Sequence, residues 1–170
     1  MPTANHPPTL HLLFGLPGAG KSTLSQRLAS APACLRISED HWLSALFDDQ
    51  LSDLSDYQRC AAKLHSVMAP QVETLLGAGL SVVLDFPANT PETRAAWRSV
   101  ATRAGARVEL HHLATPRDTC LARLRARNAS GAHPFTLTDA QFDRLCGHIT
   151  PPSADEGFRV TRHAPDPAPS

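Results

Sequence analysis

The sequence predicts an α/β fold, a parallel sheet covered by helices on both faces. Three observations carry that reading. Short apolar runs alternate with segments of helical periodicity along most of the 170 residues, as they do when crossover helices join parallel strands. The run "LSVVL", Leu80–Leu84, is apolar almost throughout, as a strand buried on both faces must be. A glycine-rich turn, "GLPGAGKS" at Gly15–Ser22, separates the first strand from the first helix. In such sheets ligands bind beyond the carboxyl ends of the strands. Gly15, Ser38, Asp85 and Ala114 all fall at such ends.

The elements follow in order. Thr9–Phe14 is the first strand, and Lys21–Ser30 is a helix with Leu24 and Leu28 one turn apart. Ala33–Ile37 is the second strand, after which Ser38 caps a helix to about Phe47. Residues 54–77 are helical, with Leu64, Val67, Met68, Gln71 and Leu75 along one side. Pro70 should kink or split this stretch, because proline lacks the N–H and crowds the preceding turn. The third strand, Leu80–Leu84, ends at Asp85. Thr90-Pro91 opens a helix with proline at its first position, and Gly105 closes it. Arg107–Leu113 is the fourth strand. Thr115-Pro116-Arg117-Asp118 reads as a capping box opening a helix to about Arg127, and Thr138-Asp139-Ala140-Gln141 opens the last helix in the same way. Phe158–Thr161 is a fifth strand. The proline-rich ends, residues 1–8 and 163–170, are expected to be disordered tails around a single domain, 9–162.

Composition narrows the function. Charged residues make up 19% of the chain and the formal net charge is zero, so no global field attracts nucleic acid or anionic lipid. No apolar run is long enough to span a membrane, and the first ten residues lack a signal-peptide pattern. Cys34, Cys60, Cys120 and Cys146 are widely spaced, which suggests reduced thiols and a cytoplasmic location. Nine histidines raise the question of a metal. His111 and His112 are adjacent on a strand and point to opposite faces, so they cannot share an ion, and no histidine metal site is expected.

The glycine turn carries the strongest chemistry. Gly15-Leu16-Pro17-Gly18-Ala19-Gly20-Lys21-Ser22 fits G-x-x-x-x-G-K-[ST], a loop whose backbone N–H groups cradle phosphates. Lys21 would reach the β- and γ-phosphates of ATP, and the Ser22 hydroxyl would bind Mg²⁺. The start of the following helix, through Thr23, adds its positive dipole end. Only two lysines occur in the chain, so a lysine in this slot by chance is improbable. Asp85, at the end of the most apolar strand, can hold a water of the Mg²⁺ shell. Phe86 follows it, where many hydrolytic ATPases carry a water-activating glutamate. Asp40 lies in the first turn after the second strand, where a carboxylate can take a proton from an attacking hydroxyl. Glu39 and Asp40 also suit a helix start, and position alone leaves both roles open. Arg123 and Arg127 are four apart and share a helix face, whereas Arg125 points elsewhere. The pair could clamp a transferring phosphoryl group or form a solvated basic face.

With these sites placed, the chain resembles the small kinase-like P-loop proteins labelled AAA_33, relatives of polynucleotide kinase, zeta-toxin and chloramphenicol phosphotransferase. The resemblance spans roughly residues 9–160. It rests on "GLPGAGKSTL", "ISEDHW", "VVLDF" with "RAAWR", "RLRARN", "TLTDAQFDRL" and "TPPSADEGF". It implies a three-layer P-loop NTPase fold with a five-stranded parallel sheet in adenylate-kinase-like order 2-3-1-4-5. It implies ATP·Mg²⁺ as phosphoryl donor, Asp40 as base, and a lid around residues 116–135 that carries Arg123 and Arg127. Polynucleotide kinases have an arginine three residues after the base. Leu43 stands there, which disfavours a nucleic-acid end as substrate.

The reading is an ATP-dependent kinase acting on a hydroxyl of a small molecule. The acceptor pocket is expected between the segments after strands two and three, lined by His41, Trp42, Tyr57, Arg94, Trp97 and Arg98. Trp97 also fits a core position, and Arg94 and Arg98 also fit a solvated face. Other readings stay open: a nucleotide-binding regulator or ATPase without an acceptor, a toxin-type or RNA-directed kinase, and a nucleoside monophosphate kinase. The last is weakened by Ala88, where such kinases carry arginine. Membrane association is not expected, and the oligomeric state is open between monomer and homodimer.

Overall fold

The computed structural model describes residues 7–131 and 136–165. Expectations for 1–6, for 132–135 within the lid stretch and for 166–170 lie outside the described residues. The strands are β1 (Thr9–Phe14), β2 (Cys34–Ser38), β3 (Ser81–Pro87), β4 (Arg107–Leu113) and β5 (Arg159–His163). They form one sheet in the order β2-β3-β1-β4-β5, with all four pairings parallel. The helices are α1 (Lys21–Ala29), α2 (Glu39–Phe47), α3 (Leu54–Gly77), α4 (Pro91–Arg103), α5 (Arg117–Ser130) and α6 (Asp139–Gly147).

Side-chain alternation along the strands divides the core in two. Leu10, Leu12, Phe14, Val82, Leu84, Phe86 and Leu110 face one way and pack with α3 and α4 through Leu64, Met68, Val72, Trp97 and Val100. Leu13 and Leu113 face the other way and pack with Leu24 of α1, Cys120 and Leu124 of α5 and Phe142 of α6. This is the three-layer arrangement expected of alternating strands and helices.

Several boundaries and caps differ from the sequence reading. Pro70 does not split α3. The buried stripe Cys60, Ala61, Leu64, Met68, Val72, Leu76 runs on both sides of it and offsets the one missing N–H. Val67 and Gln71, read as part of that stripe, are exposed, because the buried face follows 64, 68, 72 and 76. β3 extends past Asp85 to Pro87, so Asp85 lies inside the strand, paired with Ser38. Ser38 starts α2 without a side-chain cap. The Thr115 capping box does not form. Pro116 is the N-cap of α5, and the Thr115 hydroxyl instead donates to the Ala19 carbonyl at 2.9 Å. The Thr138 capping box is present with both of its bonds. β5 lies one to two residues later than read and includes His163, and the Pro8 carbonyl accepts from Arg107 N–H at 2.8 Å.

One irregularity positions the site. The β1–β3 register slips between His11 and Leu13, so that Leu13 stands against Pro87. The slip carries the chain after β3 alongside the glycine turn, and Ala88 N–H donates to Leu13 O at 2.7 Å.

Candidate active site

The glycine turn joins β1 to α1. Gly18 has φ 81° and Gly20 φ 101°, backbone conformations that residues with a Cβ rarely adopt. A Cβ on Gly18 would stand 2.6 Å from the Cys120 carbonyl oxygen, so the turn is wedged against the first turns of α5. Side chains from two other strand ends hold it. Asn89 reads Gly15 in both directions: Gly15 N–H donates to Asn89 Oδ1 at 3.1 Å, and Asn89 Nδ2 donates to Gly15 O at 3.0 Å. Thr115 holds Ala19 from the end of β4. The Lys21 ammonium folds back on the turn, donating to Gly15 O at 2.8 Å and Leu16 O at 2.7 Å. Burial pushes Lys21 down to about 8, against the pull of Cys120, Asp85 and Asp40, while Arg127 adds to the depression. A glycine turn, an ammonium and a helix N-terminus together make a site suited to an anion.

The acids after β2 and within β3 have separate surroundings. Glu39 is buried and takes bonds from the Tyr57 hydroxyl and His65 Nε2. Asp40, half-buried, accepts from Tyr57 at 3.2 Å and feels both Lys21 and Arg127. The Tyr57 phenol is pushed well above its ordinary range by burial and by these two carboxylates. Asp85 is buried, with Arg36 donating to its Oδ2. Arg36 is held in turn, since its Nε donates to Ser25 Oγ at 2.7 Å. One carboxylate oxygen is thus committed to Arg36; Asp85 and the exposed Ser22 hydroxyl are the oxygen donors that could hold a hydrated cation here.

The three arginines of α5 separate as helix geometry requires. An NH group of Arg123 lies 3.9 Å from where a Cβ on Gly20 would be. Arg127 is half-buried beside Asp40, and burial lowers its pKa against the pull of that carboxylate. Among the described residues, its Nε is buried without a hydrogen-bond partner. Arg125 is exposed and pairs with Asp139. Lys21, Asp40, Asp85 and Arg127, read separately from four segments, therefore share one electrostatic neighbourhood at the mouth of the turn.

The acceptor-side residues do not all converge. Arg94 is fully buried. It makes two bonds to Glu156, at 2.7 and 2.8 Å, and one each to the Ala88 and Thr150 carbonyls at 3.0 Å. All of its donor positions face protein, which removes it from the expected pocket lining. Arg98 stacks 3.7 Å over the Phe158 ring, beside the segment leading into β5. Trp97 is core, packed with Phe86 and His65. His41 and Trp42 are exposed on α2, while Tyr57 turns its hydroxyl to the two acids. A hollow of about 420 Å³ lies between α3 and α4, lined by His65, Glu92, Thr93 and Trp97 among others. A second, of about 320 Å³, borders Gly15, Leu16 and Thr115.

Sequence reasoning missed Arg36, Asn89 and Thr115. Arg36 carried a signal, as a cation inside a strand with the same facing as Ser38. Asn89 carried none, because its role depends on the β1–β3 register slip.

The sequence pattern of the AAA_33 family, an AAA domain, matches residues 10–152. No curated protein matches the chain. Among solved structures, a presumed kinase from Chloroflexus aurantiacus is 22% identical with a TM-score of 0.77, over 95% of this chain and 87% of that one. The Mycobacterium tuberculosis APS kinase CysC, solved with AMPPNP and APS, is 21% identical with a TM-score of 0.61, over 96% and 91%. Chaetomium thermophilum Kti12, solved with ADP-AlF3, is 15% identical with a TM-score of 0.69, over 91% and 88%. At these identities the likeness is one of fold.

Proposed function

We propose that this chain, which belongs to the AAA_33 family of AAA domains, is an ATP-dependent kinase that transfers the γ-phosphate to a hydroxyl of a small molecule. The observation that carries the reading is a glycine turn whose Gly15 and Leu16 carbonyls hold the Lys21 ammonium, with Asp40, Asp85 and Arg127 near enough to act on its charge. A simple nucleotide-binding site needs the turn, the lysine and the metal carboxylate. A further carboxylate and an arginine in the same neighbourhood would supply what transfer to an acceptor requires.

The residues fit the groups they would hold. Gly15 to Thr23 would cradle the ATP phosphates, with Lys21 exchanging the Gly15 and Leu16 carbonyls for phosphate oxygens. The buried Arg127 Nε, without a partner among the described residues, is a donor that a phosphoryl oxygen would satisfy. Ser22 and Asp85 would hold Mg²⁺, which when bound neutralises phosphate charge. Arg36 fixes the Asp85 carboxylate in one orientation. Asp40 would accept the acceptor's proton, and Tyr57, whose one hydroxyl proton lies between Glu39 and Asp40, would help to orient it. Glu39 is too buried and too fully bonded for that part. Arg123 and Arg127 would offset charge on the transferring group and help to exclude water. The APS kinase and Kti12 likenesses are compatible with a phosphate-handling site, and they leave the acceptor open.

The test is transfer itself. The protein is incubated with γ-labelled ATP·Mg²⁺ and pooled sugars, nucleosides, antibiotics and RNA, and labelled products are identified by mass. Label on a small hydroxyl compound supports the reading. Label passing only to water across the pool overturns it in favour of an ATPase or a nucleotide-dependent regulator.

A further inference from the structure

Strand pairing gathers a second set of chemistry-bearing side chains on the sheet. His11 of β1 stands beside Glu109 of β4, and His111 follows Glu109 by two residues on the same face. Thr161 and His163 extend the group onto β5. His11 Nδ1 lies 2.9 Å from His111 Nε2 and 3.9 Å from Glu109 Oε2. One ligand atom from each of the three falls within 4.8 Å of the other two. Each of the two ligands on β4 is also backed from behind. His111 Nδ1 lies 2.9 Å from His163 Nε2, and the Thr161 hydroxyl donates to Glu109 Oε1 at 2.7 Å.

We propose that His11 Nδ1, His111 Nε2 and Glu109 Oε2 form a site for one divalent transition-metal ion of the zinc type, separate from the nucleotide site. Sequence spacing gives only Glu109 and His111, two apart on β4, because His11 comes from another strand. His111 and His112 do face opposite ways, His112 packing on Phe14 at 4.8 Å, but the partner of His111 is His11.

Four features of the group suit an ion. Two imidazoles and a carboxylate are a recognised three-ligand set for zinc, with a fourth position open to water. Nitrogen donors also select against Mg²⁺ and Ca²⁺, which take oxygen. The spacing is close to what an ion needs. Zinc–nitrogen bonds place two nitrogens of a tetrahedral site roughly 3.3 Å apart, a few tenths more than the present separation. The outer contacts are those that orient ligands: an imidazole whose far nitrogen is hydrogen-bonded, and a carboxylate whose second oxygen is held. The protons balance as well. One proton is shared between His11 Nδ1 and His111 Nε2. With both lone pairs turned to an ion, His111 carries its proton on Nδ1 and donates it to His163 Nε2, and His11 carries its own on Nε2. Both rings stay neutral, and no oxidant or reductant is required. Access is partial: the His11 and Glu109 side chains are 15% and 27% exposed, while His111 is buried and fixed.

The experiment uses untagged full-length protein, treated with chelator and titrated with Co²⁺ and then Zn²⁺. One Co²⁺ per chain should give visible d–d bands with no thiolate charge-transfer band. Zn²⁺ should displace it, and neither Lys21→Ala nor excess ATP·Mg²⁺ should alter the bands. His11→Gln and Glu109→Gln, at partly exposed positions, should each abolish them. Thr161→Val should keep them with affinity weakened about 10- to 100-fold. Absence of bands in the unsubstituted protein, bands surviving both substitutions, or a thiolate band placing the ion on a cysteine would each overturn the proposal. A measurement that needs no variant is ¹⁵N NMR of the imidazoles. Addition of Zn²⁺ should shift His11 Nδ1 and His111 Nε2, and unmoved resonances count against the site however the variants fold.

Discussion

Glu156→Gln separates the two roles open to Arg94, substrate contact or structural tie. Arg94 is 0% exposed and Glu156 keeps 17% of its side chain exposed. The substitution preserves shape but leaves a buried guanidinium facing a neutral amide. Removing one partner of a buried pair costs about 3–5 kcal/mol. The partial exposure of Glu156, and the one bond that a glutamine oxygen still accepts, place this case at about 3 kcal/mol. For a chain of this size that is a fall in Tm of roughly 6–12 °C. The pH dependence is a second signature. The Arg94 hydrogen bonds hold the Glu156 carboxyl at about 2, well below its ordinary value. A depressed carboxyl stabilises the fold fully above its unfolded pKa, and that contribution is lost as pH falls through the folded pKa. The stability gap between the two proteins, followed by urea melts from pH 7 to pH 2.5, should therefore be constant near neutrality and narrow steadily below about pH 4.5. Transfer kinetics at 20 °C should keep the acceptor KM. A gap under about 1 kcal/mol, within the range of exposed ion pairs, or a gap unchanged down to pH 2.5, would refute the structural reading of Arg94.

Asp40→Asn should slow transfer by roughly a hundredfold or more with ATP·Mg²⁺ affinity nearly unchanged, whereas Asp85→Asn should weaken Mg²⁺-dependent ATP binding. Equal loss of binding in both, measured by calorimetry, would remove Asp40 from the base position. Lys21→Ala should weaken ATP binding by about 1.5–3 kcal/mol, the worth of hydrogen bonds from a charged group. In the unsubstituted protein, ATP affinity should fall above about pH 8, where the free Lys21 loses its charge, and this is read from titrations between pH 7 and 9.5. Replacing Arg123 and Arg127 together should lower kcat more than ATP affinity, because their target is charge that develops in transfer. Arg125→Ala, which loses only the exposed pair with Asp139, is the control. Asn89→Ala frees the Gly15 N–H and leaves Gly15 O to Lys21 alone, and should weaken ATP binding about tenfold, since the turn would be less preorganised.

The sheet was legible because parallel strands buried on both faces must read as apolar runs, and β1 and β4 have the expected ends. The glycine turn was legible because its chemistry is local: consecutive residues supply the N–H groups, the ammonium and the hydroxyl. Asp40 was legible only by position, and its difference from Glu39 was not, since that difference comes from Tyr57 and His65 on α3. Arg94 was misplaced for a related reason. Periodicity on α4 puts it on the inward side but cannot show that Glu156, 62 residues later, meets it there. The same limit hid the His11–Glu109–His111 group: Glu109 and His111 lie two apart on β4, but His11 joins them only across the β1–β4 pairing. What escaped the sequence in each case is a contact between groups whose free energy depends on both partners being buried together. A lone arginine at position 94 would be costly to bury, as would a lone glutamate at 39. Each is tolerated because another strand or helix brings its counterpart, and that pairing exists only once the register of the sheet is set.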